Sequence, residues 1–479
     1  MADSFLFYDL ETFGQDPRRT RIAQFAAIRT NAELNEIDTP VSFYVRPADD
    51  LLPSPYATLV TGITPQHALA EGISEADALA RINDLMSRPG TCSLGYNTLR
   101  FDDEFIRHGL FRNFFDPYER EWRNGNSRWD LLDMLRLMHA LRPEGIVWPK
   151  REDGATSFKL EHLAEANGVR DGDAHEALSD VRATIGMARL FRKAQPRLWE
   201  YALRLRDKRF VSSLLDVTAL QPLLHISMRY PATRLCAAPV LRLAVHPQIN
   251  NRYIVFDLEG DIDALLELPA ETIAERLYLR SSEMPEGMAR VPLKEVHTNK
   301  VPALVAWNHL RADDHARLGL DVDAIQAKVE RLRPHAPMLA EKARLVFSRP
   351  REGGPSDVDA SIYDGFLGAG DKPLLARVRT TAADGLAALE GEFNDPRLPE
   401  LLLRYRARNH PGSLDPAAQA RWQAYRQQRL RGDDRLGEVN LAEYREQIDT
   451  LAAESADDLR RNTLLQALRD WGKQLEDSL

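Results

Sequence analysis

The chain has 479 residues, enough at about 100–200 residues per domain for about three domains, so a single small module is excluded. Hydrophobic residues make up 44% and charged residues 28%, the balance of a soluble globular protein rather than a disordered or collagenous one. The 63 Lys and Arg against 72 Asp and Glu leave a net charge of −9 and no global basic footprint, yet arginines cluster at 18–21, 204–209, 404–408 and 426–431, and steering depends on where charge sits.

No run approaches the ~18 apolar residues a membrane span needs. Met1-Ala2-Asp3-Ser4 passes straight into Phe5-Leu6-Phe7 with neither the basic stretch nor the cleavage site of an export signal, so a cytoplasmic location without membrane contact is expected. Cys92 and Cys236 lie far apart and match no metal spacing, which leaves no basis for a disulfide framework or a cysteine-ligated zinc site.

Over the first ~190 residues, apolar strand-like runs alternate with helical periodicity, the pattern of an α/β domain. Runs at 5–10, 22–29 and 41–46 predict a three-stranded antiparallel meander. A helix at 75–87, a strand at 91–96, a helix opening near Asp102 or Asp103, and helices at 131–140 and 159–167 follow. Leu178, Val181, Ile185, Ala188 and Phe191 recur at three- and four-residue steps, giving the last helix of the region a defined core face. Beyond Gln195-Pro196, short runs such as 240–245 and 253–258 predict a mixed, mostly β middle domain over 222–345. Pro, Gly and Asp gather at 348–359 as a linker, and Ala-, Leu- and Arg-rich segments at 374–389, 398–407, 416–430 and 441–475 predict a helical third domain. The expected division is 1–195, 196–347 and 353–479.

The chemistry starts at the end of the first strand, in Asp9-Leu10-Glu11-Thr12. Residues two apart on a strand share a face, so Asp9 and Glu11 place two carboxylates side by side. Two like charges about 4 Å apart repel by roughly 4 kcal/mol at an effective dielectric near 20, so the pair must be solvated, protonated or bridged by a divalent cation. Further acids follow in Phe101-Asp102-Asp103-Glu104, where a loop gives way to a helix, and in Asp173-Ala174-His175-Glu176-Ala177-Leu178-Ser179-Asp180, at the start of the strongest helix. Each piece alone suits a helix cap or a solvated helix residue.

In this order and at these positions, Asp-x-Glu, Phe-Asp and His-x-x-x-x-Asp resemble the three motifs of the DnaQ-like exonucleases, in the histidine-bearing branch of the DEDD superfamily. The resemblance implies that Asp9, Glu11, Asp102 and Asp180 hold two divalent cations, with His175 as general base. Asp102 follows the aromatic directly, as the ligand does in that family; Asp103 is left as helix cap or salt-bridge partner. Further blocks are similar to those of bacterial exonuclease I. They include 5–14, Thr61-Gly62-Ile63-Thr64-Pro65, Trp129-Asp130-Leu131, Leu141-Arg142-Pro143-Glu144-Gly145-Ile146, Leu258-Glu259-Gly260-Asp261-Ile262 and Tyr405-Arg406-Ala407-Arg408-Asn409 with Pro411-Gly412. The likeness thus spans the chain. It implies a multidomain α/β protein: an RNase H-like DnaQ-type exonuclease domain, an SH3-like β-rich middle domain and a helical C-terminal domain around single-stranded DNA.

The expected activity is 3′-to-5′ hydrolysis of single-stranded DNA to 5′-mononucleotides, in repair and recombination. Hard oxygen ligands suit two Mg²⁺ ions per site, with Mn²⁺ as a substitute. Neutral His175 accepts the proton of the attacking water, and Glu11 also touches the terminal 3′-hydroxyl. Expected DNA contacts are Arg107, Tyr118, Trp122, Arg136 and Lys159, where cations for phosphates interleave with rings for stacking. Thr12, Phe13 and Asn97 stand beside the motifs, as terminal-nucleotide contacts or in cap and core roles. The arginine clusters of the third domain either line the DNA path or are solvated helix faces. The resemblance also suggests docking of the acidic tail of single-stranded-DNA-binding protein, and a monomer is expected. An RNA-trimming or proofreading exonuclease and a catalytically dead nucleic-acid-binding module are the alternatives; the long second and third regions count against the first, the intact acids and histidine against the second.

Overall fold

The computed structural model describes residues 4–170, 172, 176–216, 220–285, 288–348, 356–454 and 457–479. They fall into two compact units, Met1–Ser127 with Asp171–Ile185 and Gly353–Leu479, and Arg128–Arg170 with Gly186–Glu352. No helix among the described residues is long and apolar enough to cross a membrane.

In the first unit the predicted meander is present. Strand β1 (Ser4–Thr12) pairs antiparallel with β2 (Ile22–Thr30), and β2 pairs antiparallel with β3 (Val41–Tyr44). On the other side of β1 runs β4 (Thr91–Gly95), in parallel. A parallel neighbour requires a crossover, and helix Glu75–Met86 lies on that connection, opened by Ser74, whose hydroxyl accepts the Asp77 amide at 3.1 Å. Its buried face of Ala78, Leu79, Ile82 and Met86 packs on Leu6, Tyr8 and Leu10 of β1 and on Phe105, Ile106 and Leu110 of helix Asp102–Arg112. With the even positions of β1 committed to this core, alternation turns Asp9 and Glu11 to the opposite face.

The last part of the chain packs into this same unit. Phe111 and Phe114 share a core with Leu375, Leu398, Leu402 and Tyr405, and Trp471 Nε1 donates to the Leu51 carbonyl at 2.9 Å. The segment 441–475, read as one helical stretch, divides into Leu441–Glu454 and Leu459–Asp477, the second capped by Asp458, which accepts the Arg461 amide at 3.0 Å. Most arginines of 404–408 and 426–431 take neither expected role, Arg431 alone of the two clusters being exposed on its helix face. Arg404, Arg406, Arg426 and Arg429 are at most 5% exposed, neither a DNA path nor solvated faces. Asp359 accepts from Arg408 at 2.6 and 2.8 Å, Arg404 at 3.3 Å, Arg21 at 3.4 Å and the Tyr425 hydroxyl at 3.1 Å. Asp50 pairs with Arg408 at 2.8 Å and Arg429 at 3.3 Å. Burial alone would raise both carboxyls, but Arg408 and its neighbours pull them below the usual range. Helical periodicity located these residues; it could not register the two aspartates, which are distant in sequence.

The second unit holds a five-stranded antiparallel sheet built from Leu223–Ile226, Ala237–Val245, Arg252–Asp257, Leu293–His297 and Ala303–Ala306. The expectation of a mostly β region over 222–345 is corrected at its end, where Ala312–Leu318, Val322–Leu332 and Ala336–Val346 are helices. Ile325, Val329, Leu339 and Val346 at helical spacing join Leu241, Ile254 and Phe256 of the sheet in one core. Cys92 and Cys236 are both buried, and neither is in a disulfide.

Removing one partner from a buried ion network strands the others without compensation. Asp359→Ala should therefore lower the unfolding free energy by about 3–5 kcal/mol in urea titrations. A loss below about 1 kcal/mol would mean that the arginines find other acceptors.

Candidate active site

The site is assembled at the end of β1. Asp102 lies in the first turn of helix Asp102–Arg112, where the helix dipole favours an anion, and its Oδ1 accepts the Leu10 amide at 3.1 Å, between the two strand acids. Asp103 turns away to the core side, accepting the Tyr8 hydroxyl at 2.8 Å and Arg120 at 2.7 Å with both partners fully buried. Two adjacent aspartates therefore serve different ends: one is neutralised by arginine, the other adds its charge to Asp9 and Glu11.

Asp180 arrives on helix Ala177–Ala194, whose first turn is fixed by the Glu176 carboxylate accepting the Ser179 amide at 2.8 Å. Carboxylate oxygens of Asp9, Glu11 and Asp180 lie within 4.8 Å of one another. Burial, then Asp102, Glu11 and Asp180, push the Asp9 carboxyl well up. Burial, then Asp180, Asp102 and Glu176, push Glu11 up to about 8. The charges acting most strongly on both are carboxylates, and the hard oxygen donors of the cluster fit a hard divalent ion. Glu176 was not singled out from the sequence; the signal was its place three residues before Ser179, a capping spacing. His175 lies outside the described residues.

The remaining candidates are placed as follows. Thr12 donates its hydroxyl to the Gly14 carbonyl at 2.6 Å, and Phe13 is buried with Ala23, Leu51, Ile63 and Ala68. Asn97 takes a left-handed φ of 66° in the turn after β4. Just before that turn, the end of β4 comes so close to β1 that a Cβ at Gly95 would lie 2.5 Å from the Tyr8 carbonyl oxygen. The Arg107 guanidinium is held by Glu121 at 2.7 and 3.0 Å and lies over the Tyr118 ring. Trp122 is 60% exposed. Phe366 meets Tyr118 edge-on at 6.0 Å and is 89% exposed, and the Tyr363 hydroxyl bonds Glu104. Sequence reading missed both rings, because they follow the linker rather than any motif. In the second unit, Arg136 pairs with Asp133 at 2.8 Å beneath the Phe158 ring, and Lys159 stands exposed with its ammonium 3.4 Å from Glu161.

Residues 6–188 match an exonuclease family, 206–349 the exonuclease I SH3-like domain and 356–475 the exonuclease I C-terminal domain. Exodeoxyribonuclease I of Escherichia coli strain K12 is 45% identical over 473 residues, 98% of each chain. This chain belongs to the exonuclease I family. Among solved structures, exonuclease I from Methylocaldum szegediense is 47% identical with a TM-score of 0.94, covering 98% of this chain and 99% of its own. Exonuclease I from E. coli in complex with a dA16 oligonucleotide is 45% identical with a TM-score of 0.94, covering 99% and 100%. Other exonuclease I structures include a zinc-bound complex of the E. coli enzyme with single-stranded DNA and a structure with SSB and the inhibitor CFAM. The family likeness bears out the expected exonuclease, SH3-like and C-terminal architecture.

A raised carboxyl pKa means that the folded protein holds protons that the unfolded chain has lost, so rising pH between about 4.5 and about 8 destabilises the metal-free form. A divalent ion competes with those protons and binds better as they leave. The rise in Tm on adding Mg²⁺ should therefore be larger at pH 8.5 than at pH 6.5 by differential scanning fluorimetry. Equal rises would separate the cluster from metal binding.

Proposed function

We propose that the chain hydrolyses single-stranded DNA from the 3′ end to 5′-mononucleotides, in repair and recombination, using two Mg²⁺ ions held by Asp9, Glu11, Asp102 and Asp180, with Mn²⁺ as a substitute. The observation that carries this reading is the meeting of Asp9, Glu11 and Asp180 oxygens within 4.8 Å, with Asp102 bonded to the amide between the first two. Relatives crystallised with oligonucleotides and with zinc support the substrate class and the use of a divalent metal.

When bound, the two cations supply water activation and neutralise charge on the phosphoryl oxygens and the leaving oxygen. The chain's own residues do the rest. A neutral ring nitrogen of His175 accepts the proton of the attacking water. The water oxygen bonds to phosphorus as the bond to the penultimate nucleotide's 3′-oxygen breaks, and that oxygen leaves as an alkoxide that takes a proton from solvent to become the new 3′-hydroxyl. Glu11 also accepts from the terminal 3′-hydroxyl, beside Thr12, Phe13 and Asn97. Tyr118 and Trp122 offer stacking faces for unpaired bases, with Arg107 setting the Tyr118 ring, while Lys159 and Arg136 meet phosphates.

For partners, the reading is a cytoplasmic monomer that docks the acidic tail of single-stranded-DNA-binding protein; a related structure with SSB supports this. The second unit has a cavity of about 470 Å³ that suits such a tail, with Leu198, Tyr201 and Val305 as apolar walls and the exposed Arg197 and Arg311 beside them. We retain 1–195, 196–347 and 353–479 as the domain division.

With 5′-labelled substrates and Mg²⁺, a shrinking ladder is expected for single-stranded DNA and not for duplex DNA, RNA or chelator-treated reactions. Faster decay of RNA would point to an RNA-trimming enzyme, and tight binding without cleavage to a dead module. His175→Ala should lower kcat by roughly 10²–10⁴ while leaving DNA affinity near wild type; unchanged turnover would remove His175 from the reaction. Arg311→Ala should weaken binding of a peptide matching the acidic tail, measured by fluorescence anisotropy, and an unchanged Kd would move the docking site elsewhere.

A further inference from the structure

The turn that leaves β1 after Glu11 is gripped by the C-terminal part of the same unit. The Glu438 carboxylate accepts the Gln15 amide with both oxygens, each at 3.0 Å, and the Asp16 amide faces it too. At the other end of the turn, Arg429 donates to the Arg19 carbonyl while its other nitrogens hold the Asp50 and Leu436 carbonyls. A Cβ at Gly14 would lie 2.0 Å from a Glu438 oxygen, so the carboxylate reaches the chain only because that residue is glycine. Inside the turn, Thr12 bonds the Gly14 carbonyl, and the β1–β2 register slips between Glu11 and Thr12. A bulge bends its strand and re-aims the side chains beside it.

We propose that Glu438 is a positioning residue: by holding Gln15 through the gap at Gly14, it fixes the bulged end of β1 and with it the direction of the Glu11 carboxylate in the metal-binding cluster. The C-terminal helical region then has a part in setting the metal site as well as in packing. This rests on the nuclease reading above.

The test compares Gly14→Ala, Glu438→Ala, the double variant and Glu438→Gln in the full-length protein. Two readouts are taken: Mg²⁺-dependent cleavage of a short single-stranded oligonucleotide, and the Mg²⁺ concentration that gives half of the maximal rise in Tm. Each alanine variant should lower kcat by about 10–100-fold with KM within about twofold, the scale of a small misplacement of a reacting group, and should raise the Mg²⁺ midpoint. Both remove one contact, so the double variant should be no worse than the poorer single one. Glu438→Gln keeps one acceptor oxygen, folds without a cavity and should recover part of kcat. Unchanged kcat and Mg²⁺ midpoint in the single variants, or losses that multiply in the double, overturn the proposal. Wild-type protein that cleaves nothing overturns the nuclease reading instead, and the Mg²⁺ midpoints still judge the role of Glu438.

Discussion

The constraint on which this molecule turns is the crowding of carboxylates at the end of one buried strand. Left to themselves, Asp9, Glu11, Asp102 and Asp180 would protonate or spread apart, since like charges in a partly desolvated place repel by several kcal/mol each. The fold withholds the easy escapes. Asp9 and Glu11 are fixed by the pleat of β1, whose other face is locked into the core by Leu6, Tyr8 and Leu10. Asp102 is tied to the Leu10 amide, and Asp180 rides on a helix whose start is pinned by Glu176. That repulsion is what bound divalent ions would relieve, so in the proposed function metal binding and the shape of the site are one problem.

The same unit handles its other buried acids in the opposite way. Asp103 has Arg120, and Asp50 and Asp359 share Arg21, Arg404, Arg408 and Arg429. There guanidinium partners face the carboxyls, holding those of Asp50 and Asp359 ionised, and the result is rigid structure with no appetite for a metal. Arginine suits the task because its planar fork donates to two carboxylates at once and keeps its charge when buried. The contrast separates Asp102 from Asp103 more sharply than their adjacency in sequence suggests.

What the sequence disclosed follows from what is local. Strand alternation placed Asp9 and Glu11 on one face, and the three- and four-residue steps after Leu178 set Asp180 on a core helix, because both depend on neighbours in the chain. The meander was legible for the same reason. The role of the third-domain arginines was not, since Asp50 and Asp359 lie 358 and 49 residues from Arg408. Arg107 stands among rings and cations that suit DNA, yet its guanidinium is bonded to Glu121, fourteen residues away across a loop. Phe366 and Tyr363 carry no motif at all; packing brings the first to Tyr118 and the second to Glu104 and Arg107. Helices 312–346 were absorbed into a mostly β reading because strands and helices in the middle region share one core and hence similar apolar content.

This placement of charge also resolves the tension between a net charge of −9 and a polyanionic substrate. Several of the clustered arginines are consumed internally, so clustering in sequence overstates the cationic surface. The acids, for their part, include a group that would be offset by metal, so the formal sum overstates the negative field near the site. Neither correction is visible in composition. Both follow from knowing which charges are buried against a partner, and that is a property of the fold rather than of the residue count.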